Sequence, residues 1–378
     1  MYRLSIACAC RFIACLALLP FASVTARLYN FQQPFPHNLY LSDFTGDGVD
    51  EWLAFGRSTM FIVRADYLSI GQVAYPLAGD PRLGMHGRFQ PIRAGAAASN
   101  RDDICMLLPN GSLSCVGVGN DLRVTAWLTQ PGSDVFSSNL VVADLTGDGV
   151  HEIIDCKGGS VFGVEASQKF VKRPIEITAD VKALLSVLSA GADSAMQVRV
   201  ARLEGERSDS LILFNQQDGT ATRIALGTAN GKSSLQKQGN AIKVPASATE
   251  RISIARVRGL AFDDVVLYTP SSGLYRFCGF TGTFTGFGCL AQGSTDPDLS
   301  SARGEQQLFW GHLSARNAGD AMRHDSLLYN PGSKMFYVAV AGSGNAAAGA
   351  NAAPAQNYKL PVLGGATPPG SFVWAYTQ

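Results

Sequence analysis

DFTGDGVDE at residues 43–51 returns as DLTGDGVHE at residues 144–152, and both copies place oxygen-bearing side chains at positions 1, 3, 5 and 9 around a Gly-Asp-Gly core. That spacing describes a calcium loop. Asp43, Thr45, Asp47, the Val49 carbonyl and Glu51 can converge on one hard cation, as can Asp144, Thr146, Asp148, the Val150 carbonyl and Glu152. Oxygen donors at alternate positions suit calcium, and the glycines let the chain turn sharply enough to gather them. Asp50 offers a further carboxylate beside the first set. Each copy leads straight into an apolar run, WLAFGRSTMFIVRAD or IIDCKGGSVFGVEAS, so the loop precedes a strand. The helices that flank an EF-hand are missing. The alternative is a pair of acidic turns without metal; their recurrence at one place in one repeat weighs against it.

The loops belong to a longer repeat. Six units align on a polar pair that opens a strand: DEWLAFGRSTMFIVRAD, DDICMLLPNGSLSCVGV, HEIIDCKGGSVFGVEAS, SDSLILFNQQDGTATRIALG, DDVVLYTPSSGLYRFCG and HDSLLYNPGSKMFYVAVAG. Their second markers, Glu51, Asp103, Glu152, Asp209, Asp264 and Asp325, are 52, 49, 57, 55 and 61 residues apart. Periods of this size mean a propeller or solenoid. Within units, Pro109-Asn110-Gly111, Gln217-Asp218-Gly219, Ser272-Gly273 and Pro331-Gly332 mark hairpin turns, being residues suited to positive or preset φ. Runs such as NLVVADL and RISIARV lie upstream, and LSIGQVAYPL lies downstream, giving about four strands per unit. Four strands at this period fit a propeller blade rather than a β-helix coil. One short helix is expected over residues 179–195, where VKALLSVL has helical spacing.

The repeat resembles the FG-GAP/VCBS propeller repeat of integrin α-chain heads and of many bacterial secreted proteins, over nearly all of the chain after residue 26. The two DxTGDGxxE loops carry the resemblance, with Thr for Asn and Glu for the final Asp of the family's DxNGDGxxD pattern. The other units depart from it: ARLEGERSDS, ARVRGLAFDD and HLSARNAGDAMRHDS put basic or apolar residues where ligands would stand. The resemblance implies an all-β propeller, calcium in inter-strand loops and a binding role. It favours about seven four-stranded blades, the six readable repeats plus a terminal seam in which GSFVWAYTQ and RLYNFQQ pair. The tract from Ala341 to Gln356 is too poor in large side chains to form a core and reads as a loop near that seam.

Residues 1–26 read as a signal peptide, with Arg3 and Arg11 flanking an apolar stretch that ends in Val-Thr-Ala, and cleavage is expected after Ala26. Residues 27–378 then form one propeller domain, secreted or periplasmic, with no later segment apolar enough to span a membrane. Cleavage would remove two of the 31 basic residues and none of the 30 acidic ones, leaving a net charge of about −1. Such a balance argues against a nucleic-acid partner. Forty glycines and only 16% charged residues suit many strands and tight turns.

Five cysteines remain after residue 26. Cys105 and Cys115 lie symmetrically about Asn110, and Cys278 and Cys289 flank GFTGTFTGFG in the same way. Each pair is placed across a hairpin, where a disulfide is expected to contribute about 2.7 kcal/mol by closing a loop of about ten residues; buried free thiols are the alternative. Cys156 has no partner at such a spacing and reads as a packed side chain.

No catalytic constellation is visible. His37, His86, His151, His312 and His324 show neither HExxH spacing nor a neighbouring GxSxG, and no CxxC pair follows residue 26. Tyr275, Phe277, Phe280, Phe284 and Phe287 alternate with Gly and Thr and form a candidate ligand platform, with inter-sheet packing as the alternative. Trp52, Trp127, Trp310 and Trp374 lie in or beside strands, where filling between blades is the default. The leading reading is an exported, calcium-binding recognition or adhesion module for a protein or glycan, more a binder than an enzyme. The alternatives are a secreted polysaccharide-active hydrolase or lyase, whose channel residues need no local motif, and a structural part of a bacterial toxin or surface assembly.

Overall fold

The computed structural model describes residues 39–55, 59–65, 70–77, 81–90, 101–130, 136, 139–165, 168–186, 196–229, 231–257, 261–282, 284–294, 307–313, 324–330, 335–339, 358–361 and 373–374. The expected signal peptide and cleavage point, RLYNFQQ, His37 and the tract from Ala341 to Gln356 lie outside these residues.

Six antiparallel sheets follow one another along the chain. The first contains β1 (Leu39–Ser42), β2 (Glu51–Phe55), β3 (Thr59–Ala65) and β4 (Ile70–Pro76); the second contains β5 (Leu83–Gly87), β6 (Asp103–Leu107), β7 (Leu113–Val118) and β8 (Val124–Gln130). The third holds β9 (Leu140–Ala143), β10 (Glu152–Asp155), β11 (Ser160–Val164) and β12 (Phe170–Lys172). In the fourth, β13 (Glu176–Ile177) pairs in parallel with the outer strand of a meander. That meander runs through β14 (Met196–Arg202), β15 (Asp209–Asn215), β16 (Thr220–Ala229) and β17 (Lys232–Lys243). The fifth has β18 (Arg251–Ala255), β19 (Asp264–Thr269), β20 (Leu274–Thr281) and β21 (Gly286–Ser294), and the sixth β22 (Gln307–Gly311), β23 (Asp325–Asn330), β24 (Met335–Ala339) and β25 (Tyr358–Pro361). A final short strand, β26 (Val373–Trp374), pairs in parallel with β5 on the edge away from β6.

From the first sheet to the sixth, successive sheets bury their faces against one another, as a propeller requires. Phe44, Leu53, Met60 and Ile62 meet Ile104, Met106 and Val116 between the first two sheets. Leu145, Ile154 and Val161 meet Val198, Val200 and Leu213 between the third and fourth. The helix, α1 (Ala179–Ser186), joins that last layer through Val181 and Leu185, one turn apart on one face. It starts where the sequence places it; residues 187–195 of the expected span lie outside the described residues.

The sheets are fastened by a hydrogen-bonded clasp that recurs at every junction. The residue at or just before the start of a sheet's second strand donates its N–H to the carbonyl at or just beyond the end of the first strand of the preceding sheet. Asp102 donates to Asp43, His151 to Arg88, Asp209 to Asp144, Asp263 to Arg202, His324 to Arg256 and, closing the circle, Asp50 to His312, all within 2.6–3.0 Å. In five of the six the clasp side chain accepts the N–H of the same partner: Asp50 Oδ2 from His312 at 2.8 Å, His151 Nδ1 from Arg88 at 2.7 Å, Asp209 Oδ2 from Asp144 at 2.9 Å, Asp263 Oδ2 from Arg202 at 2.6 Å and His324 Nδ1 from Arg256 at 3.3 Å. Asp102 instead accepts from the Ser42 hydroxyl.

These clasps correct two expectations. About seven blades are not found: the described strands make six sheets, five built wholly from consecutive strands, and the Asp50–His312 clasp joins the sixth sheet to the first. Of the C-terminal GSFVWAYTQ, the described Val373–Trp374 form β26 at the edge of the second sheet. In the fourth unit Asp209 matches the clasp residue Asp50, so Ser210 is the counterpart of Glu51, one residue later than the repeat alignment had it.

Replacing Asp263 by Ala strands the Arg202 N–H and the Arg256 guanidinium, whose Nε donates to Asp263 Oδ1 at 2.9 Å. Loss of a buried charged acceptor costs roughly 2–4 kcal/mol, which urea unfolding is expected to show. Asp263→Asn retains an acceptor and loses less; an unchanged midpoint in Asp263→Ala would remove the clasp as a source of ring stability.

Candidate functional site

The two acidic loops connect first and second strands at the ends of the first and third sheets. Gly46 and Gly48 take φ of +81° and +84°, and Gly147 and Gly149 +74° and +83°, a region a side chain enters only with strain. Those turns aim backbone donors inward. Asp43 accepts from the N–H groups of Gly46, Asp47 and Gly48 at 2.6, 3.1 and 2.9 Å, and Asp144 accepts from Gly147 and Gly149 at 2.7 and 3.0 Å. Asp47 Oδ1 and Asp148 Oδ1 receive the N–H of Val49 and Val150. Glu51 and Glu152 accept from Thr45 N and Leu145 N at 3.0 and 2.9 Å.

The loops part company in their surroundings. In the first, the Arg64 guanidinium contacts Thr45, Asp47 and Glu51. In the third sheet Asp144 lies 3.6 Å from Arg202 Nη2, and no ion pair to Asp148 or Glu152 occurs among the described residues. Burial pushes Glu152 up to about 7, with Asp148 and Asp144 adding to the rise while the Leu145 N–H and Arg173 oppose it. Burial lifts Glu51 to the same range, where Thr45 and Arg64 oppose it. Among the described residues no three His, Cys, Asp or Glu side chains already converge as a metal-holding group. The donor types of the second loop, two aspartates, a hydroxyl and a glutamate, suit calcium, although Arg202 stands beside Asp144; the first loop already contains a cation of its own.

The aromatic platform divides between two faces. Phe280 and Phe284 are buried with partly buried Phe287 in the layer between the fourth and fifth sheets, beside Phe214 and Cys278. Inter-sheet packing is the role of these three. Tyr275 and Phe277 project from the opposite face of β20, with ring centroids 5.1 Å apart, and Phe277 meets Trp310 of β22 edge-on at 5.6 Å. All three are half-buried. The indole Nε1 of Trp310 has no hydrogen-bond partner among the described residues. Leu274, 53% exposed, precedes Tyr275, and Leu290, 62% exposed, is left over where the β20–β21 ladder skips a residue between Cys278↔Cys289 and Phe277↔Ala291. The sequence reading gave Trp310 only the default role of filling between blades; what it could not show was the edge-on contact with Phe277. Trp52 is buried, and Trp127 is partly buried in the layer between the second and third sheets.

Both hairpin cysteine pairs are bonded, Cys105 to Cys115 and Cys278 to Cys289, each directly opposite its partner in the ladder. Cys156 is free and buried, its thiol pushed up to about 12 by burial, which keeps it an unreactive core side chain. Among the described histidines, His151 and His324 are clasps, His312 packs edge-on against His324, and burial lowers His86 to about 4.

No family model and no curated protein matches the chain. Similar solved structures fix the fold. One is a lectin of Agrocybe aegerita described as recognising non-reducing terminal N-acetylglucosamine, at 15% identity and TM-score 0.51, covering 82% of this chain and 77% of that one. Another is the Photorhabdus luminescens Tc holotoxin pore, at 14% identity and TM-score 0.52, where 81% of this chain matches 14% of a much longer one. A virginiamycin B lyase from Staphylococcus aureus overlaps at 11% identity over 88% and 86% of the two chains, but its TM-score of 0.40 is too low to carry an argument. The chain is thus a β-propeller, with neither ligand nor activity inherited from these neighbours.

Asp103, at the start of β6, yields a pH prediction. Burial pushes its carboxyl up to about 7, aided by Asp102 and opposed by Gln90, Arg101 and the Phe89 N–H. The folded chain therefore keeps a proton that the unfolded chain releases near pH 4, so this contribution is full below pH 4 and lost as pH rises through 7. Asp103→Asn is expected to stabilise the protein at pH 8 by about 1 kcal/mol or more and to be neutral at pH 4; urea unfolding at the two pH values measures the difference.

Proposed function

We propose that this chain is an exported recognition propeller of the FG-GAP/VCBS kind, presenting the seam between its fifth and sixth sheets to a glycan or protein, with calcium at the second acidic loop. The observation that carries the reading is the half-buried aromatic group Tyr275, Phe277 and Trp310, flanked by exposed Leu274. Aromatic rings with one open side supply apolar area and, through the Tyr hydroxyl, a polar edge, which suits a sugar ring or a protein side chain. Two disulfides support export, because such bonds persist in oxidising compartments. The lectin neighbour supports the fold's fitness for this role without naming the ligand. At the second loop Asp144, Thr146, Asp148, the Val150 carbonyl and Glu152 would hold the ion, which would neutralise the carboxylates and stiffen the entry to β10.

Glycan arrays and host-protein screens, run in calcium and in chelator, test the reading. Trp310→Ala and Tyr275→Ala are expected to weaken the captured ligand at least tenfold, or about 1.4 kcal/mol, with unchanged far-ultraviolet circular dichroism. Binding indifferent to both substitutions would discard the seam, and cleavage of a polysaccharide would replace recognition with catalysis. At an extracellular-type affinity near 10⁻⁴ M, millimolar calcium adds about 1.4 kcal/mol. The melting temperature is therefore expected to rise slightly with calcium in the wild type and to ignore it in Asp148→Ala.

A further inference from the structure

Arg64 lies on β3 and sends its guanidinium into the first acidic loop. Nη2 donates to Thr45 Oγ1 at 2.8 Å and to Asp47 Oδ2, and Nε donates to Glu51 Oε1 at 3.2 Å. Those are positions 3, 5 and 9 of DFTGDGVDE, three of the four side chains that a calcium ion would gather. The fourth, Asp43, is taken up by the loop's own N–H groups. Arg64 Nη1 also reaches the Asn120 carbonyl of the neighbouring sheet at 3.3 Å, so the group is fixed from two sides. A planar guanidinium with donors in a fixed fork satisfies several oxygens at once, and its charge opposes a second cation in the same space.

The fourth sheet repeats the device where no calcium pattern exists. Aligning Arg202–Ser210 with Asp43–Glu51 puts Glu206 at position 5 and Ser210 at position 9. Arg223 donates there through Nη2 to Glu206 Oε1 and through Nε to Ser210 Oγ at 3.1 Å. Arg64 follows Glu51 by 13 residues, and Arg223 follows Ser210 by the same 13. Position 1 of that loop is Arg202, which is no metal ligand, yet Gly205 takes φ +79° where Gly46 takes +81°. A guanidinium is thus enough to hold this turn. The third sheet is built differently: continuing its ladder from Ile153↔Phe162 sets Gly163 opposite Glu152, where continuing Trp52↔Val63 sets Arg64 opposite Glu51. Arg173 covers the bare face of Gly163, and its Nη2 donates to the Val164 carbonyl at 3.1 Å instead of to a loop side chain.

We propose that Arg64 is the resident cation of the first loop, holding Thr45, Asp47 and Glu51 in place of a divalent ion, so that DFTGDGVDE binds no calcium despite its consensus spacing. Calcium titration of the full chain by calorimetry and native mass spectrometry tests this, independently of any ligand. Asp47→Ala is expected to leave the wild-type calcium stoichiometry unchanged, and Arg64→Met to take up one calcium more than the wild type. Arg64→Lys, which keeps a positive charge in the loop, is expected to gain none. A loss of one calcium in Asp47→Ala overturns the proposal, as does a folded Arg64→Met with wild-type stoichiometry. Should Arg64→Met not fold, the Asp47→Ala comparison still decides, and Asp148→Ala reports separately on the second loop.

Discussion

A reciprocal hydrogen bond between one sheet's entry to its second strand and its neighbour's exit from its first holds the ring together. At the Asp50, His151, Asp209, Asp263 and His324 clasps, one residue gives its N–H and receives its partner's N–H on its side chain. Two backbone groups at the end of a strand, which the ladder leaves unpaired, are satisfied without water. The side chain must be short and must accept, which Asp does through Oδ2 and His through Nδ1. The acidic loops, their glycines and their arginines all serve to bring the strand ends to this meeting point.

That restriction is why the repeat was readable at all. The polar pairs Asp50-Glu51, Asp102-Asp103, His151-Glu152, Asp263-Asp264 and His324-Asp325 set a clasp beside the residue that opens the second strand, and the sequence period follows them. Hairpin turns and cysteine pairs were equally plain, because both are local. The fourth unit slipped by one residue because Ser208-Asp209-Ser210 offers two polar residues around the clasp and only the partner across the junction distinguishes them. The extra blade came from resemblance rather than from residues: six markers were visible, and six sheets formed.

The functional residues were less legible for a geometric reason. Tyr275, Phe277, Phe280, Phe284 and Phe287 look like one aromatic cluster along the chain, but successive strand residues face opposite sides. On β20 they therefore part, Tyr275 and Phe277 toward Trp310, and Phe280 toward Phe284, Phe287 and the core. Arg64 is the same problem at longer range. A nine-residue motif carries its ligands within itself, whereas the group that competes for them stands on the next strand and looks like an ordinary strand charge until the ladder is drawn.

The pairing of β26 with β5 has a consequence for the topology of the chain. Because five sheets are complete from consecutive strands and the sixth-to-first junction is made by the same clasp as every other, no described strand stitches the circle shut. In its clasp, the junction between the sixth and first sheets is therefore one of six equivalent places at which such a circle can be opened. A chain whose termini were joined and reopened between β12 and β13 would retain every junction described above. The fold is in that sense cyclic, with the order of its sheets fixed and its starting point free.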